Sequence, residues 1–239
     1  MPLCVENIAS SFNRILFENG NWRYLTEGLV TTLQVTFAAF CLGLVLGVIL
    51  AIIRVSSKDL KPNWKSPTGI LLNLLNKLSS AYITIIRGTP TTIQLLIMFN
   101  VLLAGLNNLH LVAILTFGLN SAAYMAEIFR AGIQSVSKGE REAARSLGLS
   151  YLQTMTRVVL PQAFHNCLPA FGNEVITLLK ETSISGFIGL IDLTRGANIL
   201  VSNTFNAAIP YLVAALVYLL LVFGLERVFY AIERRVSHA

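Results

Sequence analysis

Charge is what this chain has least of. Only 13% of its 239 residues are Asp, Glu, Lys or Arg, about half the share usual in a soluble domain, whereas 54% are hydrophobic. So little polar surface points to a membrane protein. Cysteine is also scarce: Cys4, Cys41 and Cys167 match no zinc spacing, and the last two fall inside apolar runs. All three therefore read as packing residues, without a disulfide framework or a metal site. A G-x-x-x-x-G-K-[ST] phosphate loop is absent, and no Ser/His/Asp grouping suggests chemistry on a substrate. The chain is expected to be no enzyme and to hold no cofactor; if ATP drives it, another chain binds the ATP and its magnesium. No cleavable signal peptide is expected, because residues 1–27 carry three Glu and two Arg.

What is present is long uncharged sequence. A helix needs about 20 mostly apolar residues to cross a bilayer. Residues 28–53 contain no charge, and 88–126 form an uncharged run of 39 residues broken by the turn-like "AGLNNLH" at 104–110. The expectation is an all-α membrane protein with about five spans, at about 28–53, 88–104, 110–130, 160–179 and 206–225. Residues 1–27 form an extracytoplasmic segment ahead of a transmembrane domain at 28–239. The loops then sort the basic residues. Arg54, Lys58, Lys61, Lys65, Lys77, Lys138, Arg141, Arg145, Arg157, Arg227, Arg234 and Arg235 fall on one face, against Arg14, Arg23, Lys180 and Arg195 on the other. Twelve against four places the N-terminus outside and the C-terminus in the cytoplasm of a cell-membrane protein. The net charge of +6 is explained by that asymmetry, and nucleic acid is not needed as a partner.

The loop at 135–159 interrupts the apolar pattern with "EREAARSLGLSYLQTMTRVVLP" (140–161). Good helix formers run from Glu140 to Leu147, Gly148 supplies a C-terminal stop, Ser150 can cap a second helix at Tyr151, and Pro161 sits where the fourth span begins. Glu142 with the small Ala143 and Ala144 leaves an exposed face of little bulk that another backbone can approach. A hairpin lying on lipid headgroups fits the same residues.

The spacing Glu142-Ala143-Ala144, three residues, Gly148, nine residues, Val158, one residue, Leu160-Pro161 resembles the EAA loop of ABC importer permeases, with Val158 in place of the usual Ile. "LTEGLVTTLQVT" (25–36), "RGTPTTIQLL" (87–96), "SAAYMAEIFRAGIQSV" (121–136) and "NEVITLLKETSISGFIGL" (173–190) are similar to the polar amino acid branch, the type that includes histidine and glutamine importers. Thr91 and Thr92 depart from it, since apolar residues usually follow "RGTP". The resemblance implies a type I importer permease in which Glu142, Ala143, Ala144, Gly148 and Pro161 couple to cytoplasmic ATP-binding subunits. It also implies a second permease subunit, identical or homologous, and an extracytoplasmic substrate-binding protein.

Ionisable groups inside a bilayer face the protein interior. Glu174 lies 13 residues beyond Pro161, about 20 Å along a helix, past the midplane towards the outside. Asn173, Glu174, Thr177 and Glu181 recur at three- and four-residue intervals on one face. That stripe either lines a substrate pathway, where a carboxylate suits an ammonium or guanidinium group, or is hydrogen-bonded structure. Glu127 and Arg130, at i and i+3, form a structural ion pair. His165 reads as a hydrogen-bonded packing residue. In "RGTP" (87–90), Thr89 serves as N-cap, Pro90 as the first helical residue, and Arg87 as an interfacial anchor. Gly43 and Gly47 form GxxxG, a pattern common by chance in apolar helices. After Lys180, a short re-entrant or surface helix is expected, with Asp192 and Arg195 meeting an outer partner or forming a solvated pair.

The functional expectation is the permease subunit of an ATP-driven importer, moving a polar amino acid through surrounding membrane lipid. The alternatives are a stand-alone proton-coupled carrier using Glu127 or Glu174, and a non-transporting membrane scaffold.

Overall fold

A computed structural model describes residues 12–59 and 66–237. Cys4, Lys61, Lys65 and residues 1–11 of the expected N-terminal segment lie outside the described residues. Regular structure within them is helical: α1 (Trp22–Asp59), α2 (Pro67–Arg87), α3 (Thr91–Ile97) with a π-turn at Met98–Leu102, and α4 (Leu109–Ser135). There follow α5 (Lys138–Ser146), α6 (Tyr151–Thr154), a π-turn at Met155–Val159, α7 (Leu160–Glu181), a 3₁₀ turn at Thr182–Ile188, α8 (Leu193–Thr204) and α9 (Ala208–Ser237).

Among the described residues, four helices are long and apolar enough to cross a membrane: Trp22–Lys58, Pro67–Arg87, Leu109–Ser135 and Ala208–Val236. The helix Tyr151–Ile188 and Leu193–Thr204, bent by 49° at their break, make a fifth if taken as one span. The second span differs from the expectation. At 88–104 the structure places the short apolar helix Thr91–Leu102, below the length a bilayer requires. The long helix precedes it, at Pro67–Arg87, where Ser66 accepts the Gly69 N–H at 3.1 Å and Pro67 opens the first turn. Lys77 lies inside this helix rather than in a loop. Treating any charge as the end of a span concealed it, although one lysine on an amphipathic helix can carry its ammonium out to water.

By compactness the chain forms two units, each taken by itself. One comprises 1–39, 91–117 and 177–224. Its core packs Leu16, Leu25, Leu193, Ala197, Leu200 and Ala214. Here α1 and α8 approach backbone to backbone: a Cβ on Gly28 would lie 2.5 Å from the Asp192 carbonyl oxygen, and one on Gly196 would strike the Tyr24 carbonyl. The Leu193 N–H donates to the Thr32 hydroxyl at 3.2 Å. Asp192, only 1% exposed, accepts the N–H groups of Thr194 and Arg195 at 3.2 and 3.1 Å. It is the N-cap of α8, not the partner-facing or solvated residue expected from sequence.

The other unit comprises 40–90, 118–176 and 225–239. Met125, Cys167, Leu168 and Phe171 form one cluster, and Val55, Ile133, Val136, Val159 and Ala163 another. Gly43 and Gly47 admit α4 against α1, Gly43 facing Ser121 and Gly47 facing Met125 and Ala126. The Tyr82 hydroxyl donates to the Leu119 carbonyl at 2.5 Å, tying α2 to α4.

Candidate functional site

The hairpin is built by local chemistry. Ser137 accepts the Glu140 N–H at 3.2 Å and starts α5. The helix ends in a Schellman arrangement: Gly148 N–H donates to the Arg145 carbonyl at 3.0 Å, and Leu149 N–H to the Ala144 carbonyl at 3.2 Å. Gly148 holds φ at +83°, a conformation that glycine adopts without the penalty of a Cβ. Ser150 and Gln153 then form a reciprocal capping box. The expected second helix does not stop before the fourth span. It runs on through the π-turn at Met155–Val159 into α7, so the π-turn falls directly ahead of Pro161, which has no N–H to give.

Glu142 and Ala143 are exposed, as is Gly148. Ala144 is not: at 5% exposure it faces the protein, so the free surface of α5 is narrower than the sequence suggested. The surface gains two residues that sequence reasoning passed over, Leu147 and Leu152, which are 85% and 70% exposed on either side of the turn. An apolar residue next to each helix end was their only sequence signal. The hairpin is anchored from beneath by Arg141, whose guanidinium donates to the Ile133 carbonyl at the end of α4. Such a surface, small and acidic at one point and flanked by two leucines, suits docking into an apolar groove of a second protein.

Within the same unit Glu127 is a node. Arg130 meets its Oε2 at 2.6 Å and Arg54 its Oε1 at 2.5 Å, while Arg87 stands 4.0 Å away. The expected pair is thus part of a cluster joining α1, α2 and α4. Arg87 lies over the Tyr124 ring at 5.2 Å as well. Thr89 donates to the Ile85 carbonyl at 2.9 Å, and helix α3 starts one residue after Pro90. Glu174 accepts the Ser121 hydroxyl at 2.7 Å; Asn173 beside it is exposed. In the other unit Glu181 accepts from Thr91 at 3.5 Å, and Thr177 is exposed. Thr91, the departure from the branch pattern, therefore has a polar partner. His165 is half-buried, and Cys167 donates its thiol to the Ile128 carbonyl.

Residues 66–238 match the family described as binding-protein-dependent transport system inner membrane component. The chain is 37% identical to the arginine transport system permease protein ArtQ of Bacillus subtilis over 90% of its length and 93% of that protein's. It is 35% identical to the L-cystine transport system permease protein TcyB of the same organism, over 93% and 90% of the two chains. The crystal structure of an amino acid ABC transporter with histidines has a chain 38% identical to this one, with a TM-score of 0.78 over 89% of this chain and 94% of that one. This chain belongs to the family of binding-protein-dependent transport system inner membrane components, the permease subunits of ABC importers.

Proposed function

We propose that this chain forms one half of the membrane pore of an importer for a polar amino acid, with its N-terminus outside and the α5–α6 hairpin and C-terminus in the cytoplasm. Separate ATP-binding subunits bind and hydrolyse ATP with magnesium. A second permease subunit, identical or homologous, completes the pore, and an extracytoplasmic binding protein delivers the substrate. The observation that carries this reading is the hairpin: Glu142, Ala143, Leu147 and Leu152 stand free at its surface, while caps at both helices hold its shape. Closure of the nucleotide-bound subunits pulls on this hairpin, and its anchor to the end of α4 passes the movement to a span. The amino acid class rests on relatives named for arginine and cystine transport. The stand-alone carrier is not supported by the family. Glu174, with Asn173, Thr177 and Glu181 as further candidates, is assigned to the substrate route because its carboxylate complements an amino or guanidinium group.

The test is Glu142→Lys in the chain co-expressed with its ATP-binding subunits and reconstituted in vesicles. Insertion and monodispersity are retained, and substrate-stimulated ATP hydrolysis falls at least tenfold, as expected when a docking charge is reversed. Unchanged stimulation with full uptake would remove the hairpin from the coupling path.

A further inference from the structure

A crevice of about 640 Å³ opens in the unit formed by 40–90, 118–176 and 225–239, lined by Arg54, Lys58, Arg130, Lys138 and Arg141 together with the amide side chains of Asn76 and Gln134. No carboxylate lines it among the described residues; Glu127 pairs with two of its cations, Arg54 and Arg130. Five cations and no carboxylate make the lining itself positive. The arginines are fixed in place: Arg130 donates to Gln134 at 2.7 Å as well as to Glu127, and Arg141 to the Ile133 carbonyl. Lys58 and Lys138 are exposed at its edge.

We propose that this crevice is a binding site for a phosphate group, carried by an anionic phospholipid headgroup or by a soluble phosphate. Guanidinium forks and ammonium groups arrayed around one cavity are the chemistry that holds phosphate oxygens. A phospholipid headgroup and a soluble phosphate both present such oxygens, and basic pockets between spans are where anionic headgroups are held. Through Arg54, Arg130 and Lys138 the occupant would touch α1, α4 and the first turn of α5, tying lipid composition or phosphate to the helices that carry the hairpin. The site shares α5 with the docking surface proposed above, through Lys138 and Arg141, but Glu142, Ala143, Leu147 and Leu152 do not line it.

The experiment uses the delipidated complex of the full chain with its co-expressed partner subunits. Native mass spectrometry counts bound phosphatidylglycerol against phosphatidylcholine, and acylation footprinting of Lys58 and Lys138 is run with each lipid and with inorganic phosphate at millimolar concentration. The expected result for a lipid site is retention of phosphatidylglycerol about tenfold or more above phosphatidylcholine, with both lysines protected; the preference is lost in Lys58→Gln/Lys138→Gln, and protection of the remaining lysine is lost in each single Gln variant. Protection by inorganic phosphate without lipid preference, lost at the remaining lysine in each single Gln variant, supports the site with a soluble occupant. Lys58→Arg and Lys138→Arg, combined for lipid counting and single for footprinting the remaining lysine, keep the effect in either case and control for folding. Neither lipid preference nor phosphate protection, or either one undiminished in the Gln variants, overturns the proposal. So does protection of the lysines by the partner subunits alone, which would make the crevice a protein contact.

Discussion

Arg54 of α1 and Glu127 of α4 meet at 2.5 Å across 73 positions of sequence, and the same carboxylate serves Arg130 and Arg87. The arrangement is unequal: each arginine can lose its place and leave the carboxylate partnered, but loss of the carboxylate leaves three guanidinium groups facing one another. Glu127→Gln is therefore expected to destabilise the chain by about 2 kcal/mol, less than a fully buried pair would because the groups retain some water. Arg54→Gln should cost less than half of that. Thermal unfolding in detergent, followed by tryptophan fluorescence, gives the order; equal losses would show that Glu127 acts through Arg54 alone.

The close approach of α1 and α4 depends on glycine. A Cβ on Gly47 would fall against the Met125 side chain and 3.1 Å from the Ala126 nitrogen, whereas one on Gly224 of α9 meets nothing within 4 Å. Gly47→Ala should destabilise by about 1–3 kcal/mol through overpacking. Gly224→Ala should be neutral or slightly stabilising, because alanine is the better helix former. The same unfolding assay reads both, and a loss of equal size at the two positions would deny the packing role.

Asp192 separates two readings of one acidic residue. As an N-cap it holds the Thr194 and Arg195 N–H groups; as half of an ion pair it would hold the Arg195 side chain. Capping predicts that Asp192→Ala costs about 1–2 kcal/mol and increases hydrogen exchange along Leu193–Thr204, that Asp192→Asn restores most of the loss, and that Arg195→Ala has little effect. A large effect of Arg195→Ala together with failure of the Asn variant would reinstate the pair.

What could be read in the sequence was what is local. Ser150 as a cap, Gly148 as a stop and the paired helices of the hairpin follow from residues within a turn of one another, and each depends on a backbone hydrogen bond that the side chain or its absence controls. Glu127 with Arg130 was legible for the same reason. Arg54 and Arg87 were not, because they reach Glu127 from other helices and no periodicity reports a contact across 73 residues. The inward face of Ala144 needed the tertiary partner that covers it. Helix α2 was hidden by Lys77, and Gly43 and Gly47 were passed over because a GxxxG spacing says nothing until the opposing Ser121 and Met125 are in place.

Gly148 offers a test of the hairpin in which side-chain volume plays no part, since a Cβ there meets nothing within 4 Å and only its φ of +83° is demanding. The left-handed conformation costs an ordinary residue about 1–2 kcal/mol, and asparagine less. Transport coupling should accordingly fall in the order Gly148, Gly148→Asn, Gly148→Ala and Gly148→Val, with hydrogen exchange at Lys138–Ser146 rising in step while the spans stay protected. The cause is the loss of the Gly148 and Leu149 N–H bonds that close α5, which lets Leu147 wander from the position it holds at the end of that helix. Uptake measured in vesicles against exchange at these amides checks the link. Full uptake by the Val variant with an unaltered exchange pattern would mean that the turn tolerates other conformations and that its shape does not carry the coupling.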